Sequence, residues 1–118
     1  MYSNFKVLIA RLAMLSSAVS SKMLRSMAQK EGFHYEETLT GFKWLGNKSL
    51  ELVDQGFVAP YAFEEAIGYM FGDVVRDKDG IAAATVFLSL VANLYERKQT
   101  VIQLLEQLFE RYCILRDN

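Results

Sequence analysis

Short apolar runs of strand length alternate along this chain with longer stretches of helical periodicity, and no other feature narrows the possible folds as far. Leu12–Leu15 reads as a strand. Val19, Met23 and Met27 then recur every four residues, with Leu24 and Ala28 beside them, as the apolar face of a helix. Ser16 and Ser17 stand where they can cap that helix, and Gly32 where it can stop. Phe33–Glu37 alternates as a half-buried strand does. After a turn at Thr38-Leu39-Thr40-Gly41, the pattern predicts a helix over 42–54 with Phe42, Leu45, Leu50 and Val53 inward, ended by Gly56. Phe57–Phe63 is continuously apolar, as expected of a strand covered on both faces. Pro60 cannot donate to a ladder, so this strand is irregular there or lies at an edge.

Glu64 to about Asp77 reads as a polar, glycine-punctuated loop. Asp79 can cap a long helix through Glu96 with Ile81, Ala84, Thr85, Leu88, Val91, Ala92 and Tyr95 on one face. Thr100 and Gln103 have capping-box spacing and open a last helix, whose Val101, Leu104, Leu105, Leu108, Phe109 and Tyr112 form a stripe. Strands alternating with helices make this an α/β chain: a small mixed, largely parallel sheet flanked by helices. Its length of 118 residues suits one domain.

Composition removes several classes of function. The net charge of −1 leaves no cationic excess for nucleic acid or for a charged membrane surface. The apolar stretch Val7–Leu15 is interrupted by Arg11 and too short to span a bilayer. With the small residues Ser16–Ser21 after it, it faintly resembles a signal-peptide core, but the pattern that follows has no use except to fold with it. The single cysteine, Cys113, cannot form an internal disulfide and reads as a half-buried apolar residue near a helix end. A cytoplasmic protein is the expectation. His34 has no second histidine for a metal site, and no phosphate-binding loop, dinucleotide fingerprint or nucleophile elbow is present.

In sheets of this kind the ligand site lies beyond the carboxyl ends of the strands. Two segments fall there, Thr38–Lys43 and Glu64–Lys78. Glu64 and Glu65 follow seven apolar residues, and a carboxylate at the end of a buried strand is costly unless paired. Sugar hydroxyls are suitable donors to it. The alternative is that one glutamate takes a backbone amine or a lysine while the other is solvated. Arg76-Asp77-Lys78-Asp79-Gly80 is a charged cluster at a helix start. Lys78 reads either as a surface ion pair or as a lysine placed to move a hydroxyl proton.

Three stretches carry a family resemblance when taken together. Thr38-Leu39-Thr40-Gly41-Phe42-Lys43-Trp44-Leu45-Gly46-Asn47 resembles the Thr-Gly-aromatic-Lys stretch of the third domain of α-D-phosphohexomutases. Phe63-Glu64-Glu65-Ala66-Ile67-Gly68 resembles that domain's sugar-recognition loop. Arg76 to Ala84 is similar to the family's Lys-Asp-Gly followed by an alanine-rich helix. The Phe-Glu-Glu-Ala-Ile-Gly form resembles the branch holding phosphopentomutases and glucose 1,6-bisphosphate synthases. Phosphoglucomutases have Gly-Glu-Glu-Ser there, so Ala66 lacks a hydroxyl and Phe63 narrows the approach to the sugar. The likeness runs from about Leu15 to Cys113. Residues 1–12 are read as an unmatched segment and 13–118 as the third-domain-like unit.

The resemblance implies a mutase that moves a phosphoryl group within a hexose or pentose phosphate, using Mg2+ and a sugar bisphosphate. It implies that Glu64 and Glu65 hold sugar hydroxyls, that Thr40 and Gly41 shape the floor, and that Lys78 is the general acid/base. It assigns no metal ligand to this chain. The family's phosphoserine loop, its Asp-x-Asp-x-Asp magnesium run and its phosphate-gripping loop do not occur in these 118 residues. The expected partners are therefore sugar phosphates and the missing mutase domains, with no catalysis by this chain alone. The alternative expectation is a non-catalytic phosphosugar-binding or interaction module that assembles with other domains.

Overall fold

A computed structural model describes residues 7–72 and 77–112. After a helical turn at 7–10 come β1 (Leu12–Ser17), α1 (Met23–Glu31), β2 (His34–Thr38), α2 (Phe42–Asp54), β3 (Val58–Glu64), β4 (Gly68–Phe71), α3 (Gly80–Glu96) and α4 (Val101–Arg111). The strands form one sheet in the order β2-β1-β3-β4. β1 runs parallel to both β2 and β3, while β4 is antiparallel to β3. The small mixed, largely parallel sheet expected from the sequence is the sheet observed. Parallel neighbours need a long return path, and α1 and α2 supply it. The three residues between β3 and β4 allow only an antiparallel pair.

The register brings Ser17 opposite Thr38 and Ser16 opposite Phe63, so the three parallel strands finish at one edge with Ser17, Thr38 and Glu64. One sheet face contributes Ala13, Leu15, Ala59, Ala62 and Met70 to the core, and α2 closes over it with Phe42, Leu45 and Leu52. Gly46 and Ser49 are buried on the same face of α2. Small residues on both layers let helix and sheet approach closely.

Three of the local signals fall where the sequence placed them. The Gly32 amide donates to Ala28 O and closes α1. Asp79 Oδ1 accepts from the amides of Ile81 and Ala82 at 3.1 Å each, and Thr100 and Gln103 form the reciprocal capping box. At Pro60 the β1–β3 register slips between Leu12 and Met14, so the strand is irregular there. It lies inside the sheet, however, because β4 covers its far side.

Several expectations are corrected. Ser16 and Ser17 do not cap α1; they end β1, fully buried, and α1 begins at Met23 behind Lys22 without a side-chain cap. Val19 accordingly stands outside the helix and exposed. The expected loop after Glu64 contains β4, which was missed because four residues headed by a glycine carry too little pattern. On α2, Leu50 and Val53 face solvent while Ser49 and Leu52 face the core. On α3, Ile81, Leu88 and Tyr95 are exposed and the buried residue is Leu94. That helix is apolar around most of its circumference, so periodicity cannot phase it. Arg76 and Cys113 lie outside the described residues.

Candidate functional site at the carboxyl edge of the sheet

β1 delivers its last two side chains into this edge, and both are serines with no exposed surface. A buried hydroxyl must find a partner. Ser16 Oγ lies 2.6 Å from the Tyr35 hydroxyl, which donates to Glu37 Oε1 at 3.2 Å. Glu37 also accepts from Lys22 Nζ at 2.6 Å, and the Lys22 hydrogen bond holds its carboxyl below the usual range. Burial pushes the Tyr35 phenol upward. Ser17 turns the other way, donating to Glu65 Oε2 at 2.7 Å, with Ser20 Oγ 2.6 Å behind it. The Ser17 hydrogen bond, followed by the backbone amide of Glu65 itself, lowers the Glu65 carboxyl.

Glu64 is the last residue of β3 and only 6% exposed. Its neighbour across the hairpin is Gly68. A methyl group on Gly68 would stand 2.5 Å from Phe42 Cε2 and 2.9 Å from Glu64 Oε1. Only a glycine lets the ring of Phe42, the Glu64 carboxylate and the hairpin backbone meet. This contact joins the start of α2 to the glutamate loop. Gly41 precedes Phe42 with φ of +119°, a conformation that side chains resist, and its carbonyl accepts from Trp44 N at 3.0 Å. Thr40, just before it, is exposed.

Lys78 Nζ stands 4.0 Å from Glu64 Oε1. The lysine side chain is 61% exposed and the carboxylate side chain 6%, so the pair is wet on one side and dry on the other. Lys78 is placed by its neighbours: its amide donates to Asp77 Oδ1 at 2.7 Å, and the Asp79 amide donates to Tyr69 O at 2.8 Å. The last bond ties the start of α3 to β4. The structure thus brings Glu64 and Lys78 together, puts Glu65 against the β1–α1 turn, and hangs Thr40–Gly41 beside Phe42 at the same edge.

A cavity of about 370 Å3 opens by Thr38 and Leu39, lined also by Trp44, Asn47 and Lys48. An apolar one of about 580 Å3 lies between the hairpin and α3, lined by Tyr61, Tyr69, Phe71, Phe87 and Leu90. Neither is lined by Glu64, Glu65 or Lys78. Burial raises the Tyr61 phenol beside the apolar cavity to about 12. Phe63 stacks on Tyr61 with ring centroids 5.9 Å apart. Among the described residues there is no group of three or more His, Cys, Asp and Glu placed to hold a metal ion.

Sequence reasoning gave Ser17 and Ser20 no place at this edge. The available signal was a run of small polar residues directly after a strand, at the edge where ligands bind.

The chain is thus a largely parallel α/β sheet whose carboxyl edge carries a buried carboxylate with a lysine beside it. The chain belongs to the phosphoglucomutase/phosphomannomutase family, whose model for the alpha/beta/alpha domain III matches residues 4–112. It is 50% identical over 111 residues to a probable phosphoribomutase of Schizosaccharomyces pombe, covering 94% of this chain and 19% of that protein. It is 52% identical over 99 residues to a phosphopentomutase of Homo sapiens, covering 84% and 16%. To a glucose 1,6-bisphosphate synthase of Mus musculus it is 44% identical over 104 residues, covering 88% and 17%. The chain thus spans less than a fifth of the length of these curated relatives. The crystal structure of a putative phosphomannomutase from Thermus thermophilus superposes with a TM-score of 0.71 over 94% of this chain and 23% of the other; at 16% identity this shows the fold. No helix among the described residues is long and apolar enough to cross a membrane.

Proposed function

We propose that this chain is the sugar-recognition domain of a sugar-phosphate mutase, which moves a phosphoryl group between positions of a hexose or pentose phosphate. The observation that carries the reading is the Glu64 carboxylate, buried at the ligand-binding edge with Lys78 4.0 Å away. In this reading the unit spans residues 13–118, as the sequence divides it. Glu64 accepts hydrogen bonds from vicinal sugar hydroxyls, which replace the water that burial removes. Glu65 accepts a further hydroxyl with its remaining lone pairs while Oε2 is held by Ser17. Lys78 handles the proton of the reacting hydroxyl, its exposed side reaching the sugar and its inner side facing Glu64. Gly41, with Thr40, lets the sugar approach the backbone.

Magnesium and a sugar bisphosphate, where the whole enzyme uses them, would supply charge neutralisation and the returning phosphate, with the Glu64 edge meeting only the sugar of the bisphosphate. The partners are then the remaining mutase domains, and the setting is the cytoplasm. By itself the chain has no group to carry the phosphate.

The test is a pair of measurements on the purified chain. Mutase assays with glucose 1-phosphate and ribose 1-phosphate, with Mg2+ and a bisphosphate primer, are expected to give no turnover. NMR titration with the same two sugar phosphates is expected to shift Glu64, Glu65, Gly41 and Lys78 first. Turnover by this chain would overturn the division of labour. Shifts elsewhere, or none up to millimolar ligand, would overturn the sugar site and favour an interaction module.

A further inference from the structure

We infer that Ser17 and Ser20 are positioning residues for the sugar carboxylates: their hydroxyls clamp Glu65 to the β1–α1 turn and so hold the hairpin that carries Glu64. This rests on the reading of Glu64 and Glu65 as sugar ligands. The donors form an ordered relay. Ser17 Oγ donates its one proton to Glu65 Oε2 at 2.7 Å, which leaves its oxygen to accept from Ser20 Oγ at 2.6 Å. Ser20 also lies 3.5 Å from the same carboxylate oxygen. Both serines are buried, Ser17 completely. A relay that ends on an anion strengthens each link, and the depressed Glu65 carboxyl agrees with that.

The anchor behind the clamp is stiff. Ser20 N donates to Ser17 O at 3.1 Å and Ala18 N to Thr38 O at 2.8 Å, which bind the turn to itself and to β2. Lys22 adds a second tie, donating to Ala18 O and to Glu37 Oε1 at 2.6 Å each. The hairpin turn needs holding, because Ile67 is a β-branched residue with φ of +60°. Such a conformation persists only where its surroundings impose it. The serine clamp at Glu65 and the tight Gly68–Phe42 contact grip the turn from its two ends. The strand ends β1 and β3 thereby set one another's geometry at the sugar edge.

The experiment follows the side-chain carboxyl 13C signals of Glu64 and Glu65 through pH titration, with amide exchange at Ile67 and Gly68, in the intact chain and in Ser17→Ala, Ser20→Ala and Ser17→Thr. In the unaltered chain Glu65 is expected to titrate below the ordinary carboxylate range. Ser17→Ala moves that midpoint up towards the ordinary range and speeds exchange at residues 67 and 68 by about five- to tenfold, as loss of one charge-assisted hydrogen bond allows. Ser20→Ala moves both in the same direction by less, and Ser17→Thr, which keeps the hydroxyl, restores Glu65. Ser20→Ala decides the matter if Ser17→Ala does not fold. A Glu65 that titrates as a free carboxylate in the unaltered chain overturns the clamp. So do variants that lose global stability while leaving the Glu65 midpoint unmoved, since that is a packing role. Ribose 1-phosphate is titrated separately: a Ser17-dependent Glu65 with no sugar response would sink the sugar site and leave the clamp standing.

Discussion

Gly68 shows how little room the sugar edge leaves. A Cβ there would press to 2.5 Å on Phe42 and 2.9 Å on the Glu64 carboxylate, so Gly68→Ala must displace one of them. Overpacking of this kind costs about 1–3 kcal/mol, and we expect the urea midpoint to fall accordingly with an unchanged slope. A midpoint equal to the unaltered chain's would mean that Phe42 yields freely and that the contact does not order the hairpin. The serines behind Glu65 act differently. They contribute position more than bulk, and the partner of Ser17 is 48 residues away. A reading confined to sequence neighbours places Ser17, with Ser16, at the nearest helix start, where serine is the favoured cap, and gives Ser20 no role. Glu64 and Lys78 were legible because a charge after a buried strand and a lysine before a helix are anomalies of position, visible without knowing what they meet.

The elements divide by how local their signals are. The 13-residue α2 occupies the predicted span, because Gly41 and the start of the apolar pattern after it are local facts, although Leu50 and Val53 misphased its last turns. The caps of α3 and α4 were legible for the same reason. Asp79 serves both helix and site, since its carboxylate caps α3 while its amide binds Tyr69 O and fixes Lys78 beside it. Asp79→Ala should cost about 0.5–2 kcal/mol in thermal or urea unfolding. It should also loosen Lys78, seen as a sharper, more mobile Lys78 side-chain NMR signal; an unaltered Lys78 would mean that β4 alone sets its place. The apolar circumference of α3 and the brevity of β4 are what sequence could not resolve, because each is settled only by contacts with distant residues. The end of α4 is pinned to α1 by Glu31, which accepts from Tyr112 Oη at 2.9 Å and Arg111 Nη2 at 2.7 Å. The Tyr112 hydrogen bond, then that of Arg111, holds the Glu31 carboxyl below its ordinary range. A carboxyl lowered by folding stabilises the fold fully above its unfolded pKa, and that contribution is lost as pH falls through the folded value. Protection of the α4 amides, measured against their intrinsic exchange rate at each pH, should therefore fall on acidification past the ordinary carboxylate range. Glu31→Gln should abolish that dependence, and an unchanged pH profile in the variant would remove Glu31 as its source.

At the scale of the whole molecule, the question is what covers α3. The helix is apolar on most sides, yet Ile81 is 82% exposed, Leu88 66% and Phe87 53%. Beside it the hairpin rings of Tyr61, Tyr69 and Phe71 line an apolar cavity of about 580 Å3. Large apolar side chains left in water along a helix are expected to seek a protein surface to cover them. Under the proposed function further mutase domains would be the protein that covers α3. In solution by itself, that helix should meet its own kind. Sedimentation is expected to show mass rising with protein concentration, and unfolding is expected well below about 60 °C, within or below the usual mesophile range. Replacing Ile81 and Leu88 together by lysine adds charge to one exposed stripe without touching Leu94, the buried residue of that helix. The double variant should remain monomeric where the unaltered chain associates, at little cost in stability. A sharp monomeric transition above about 60 °C in the unaltered chain would show instead that α3 tolerates water as it stands, and that the fold needs no further surface to complete it.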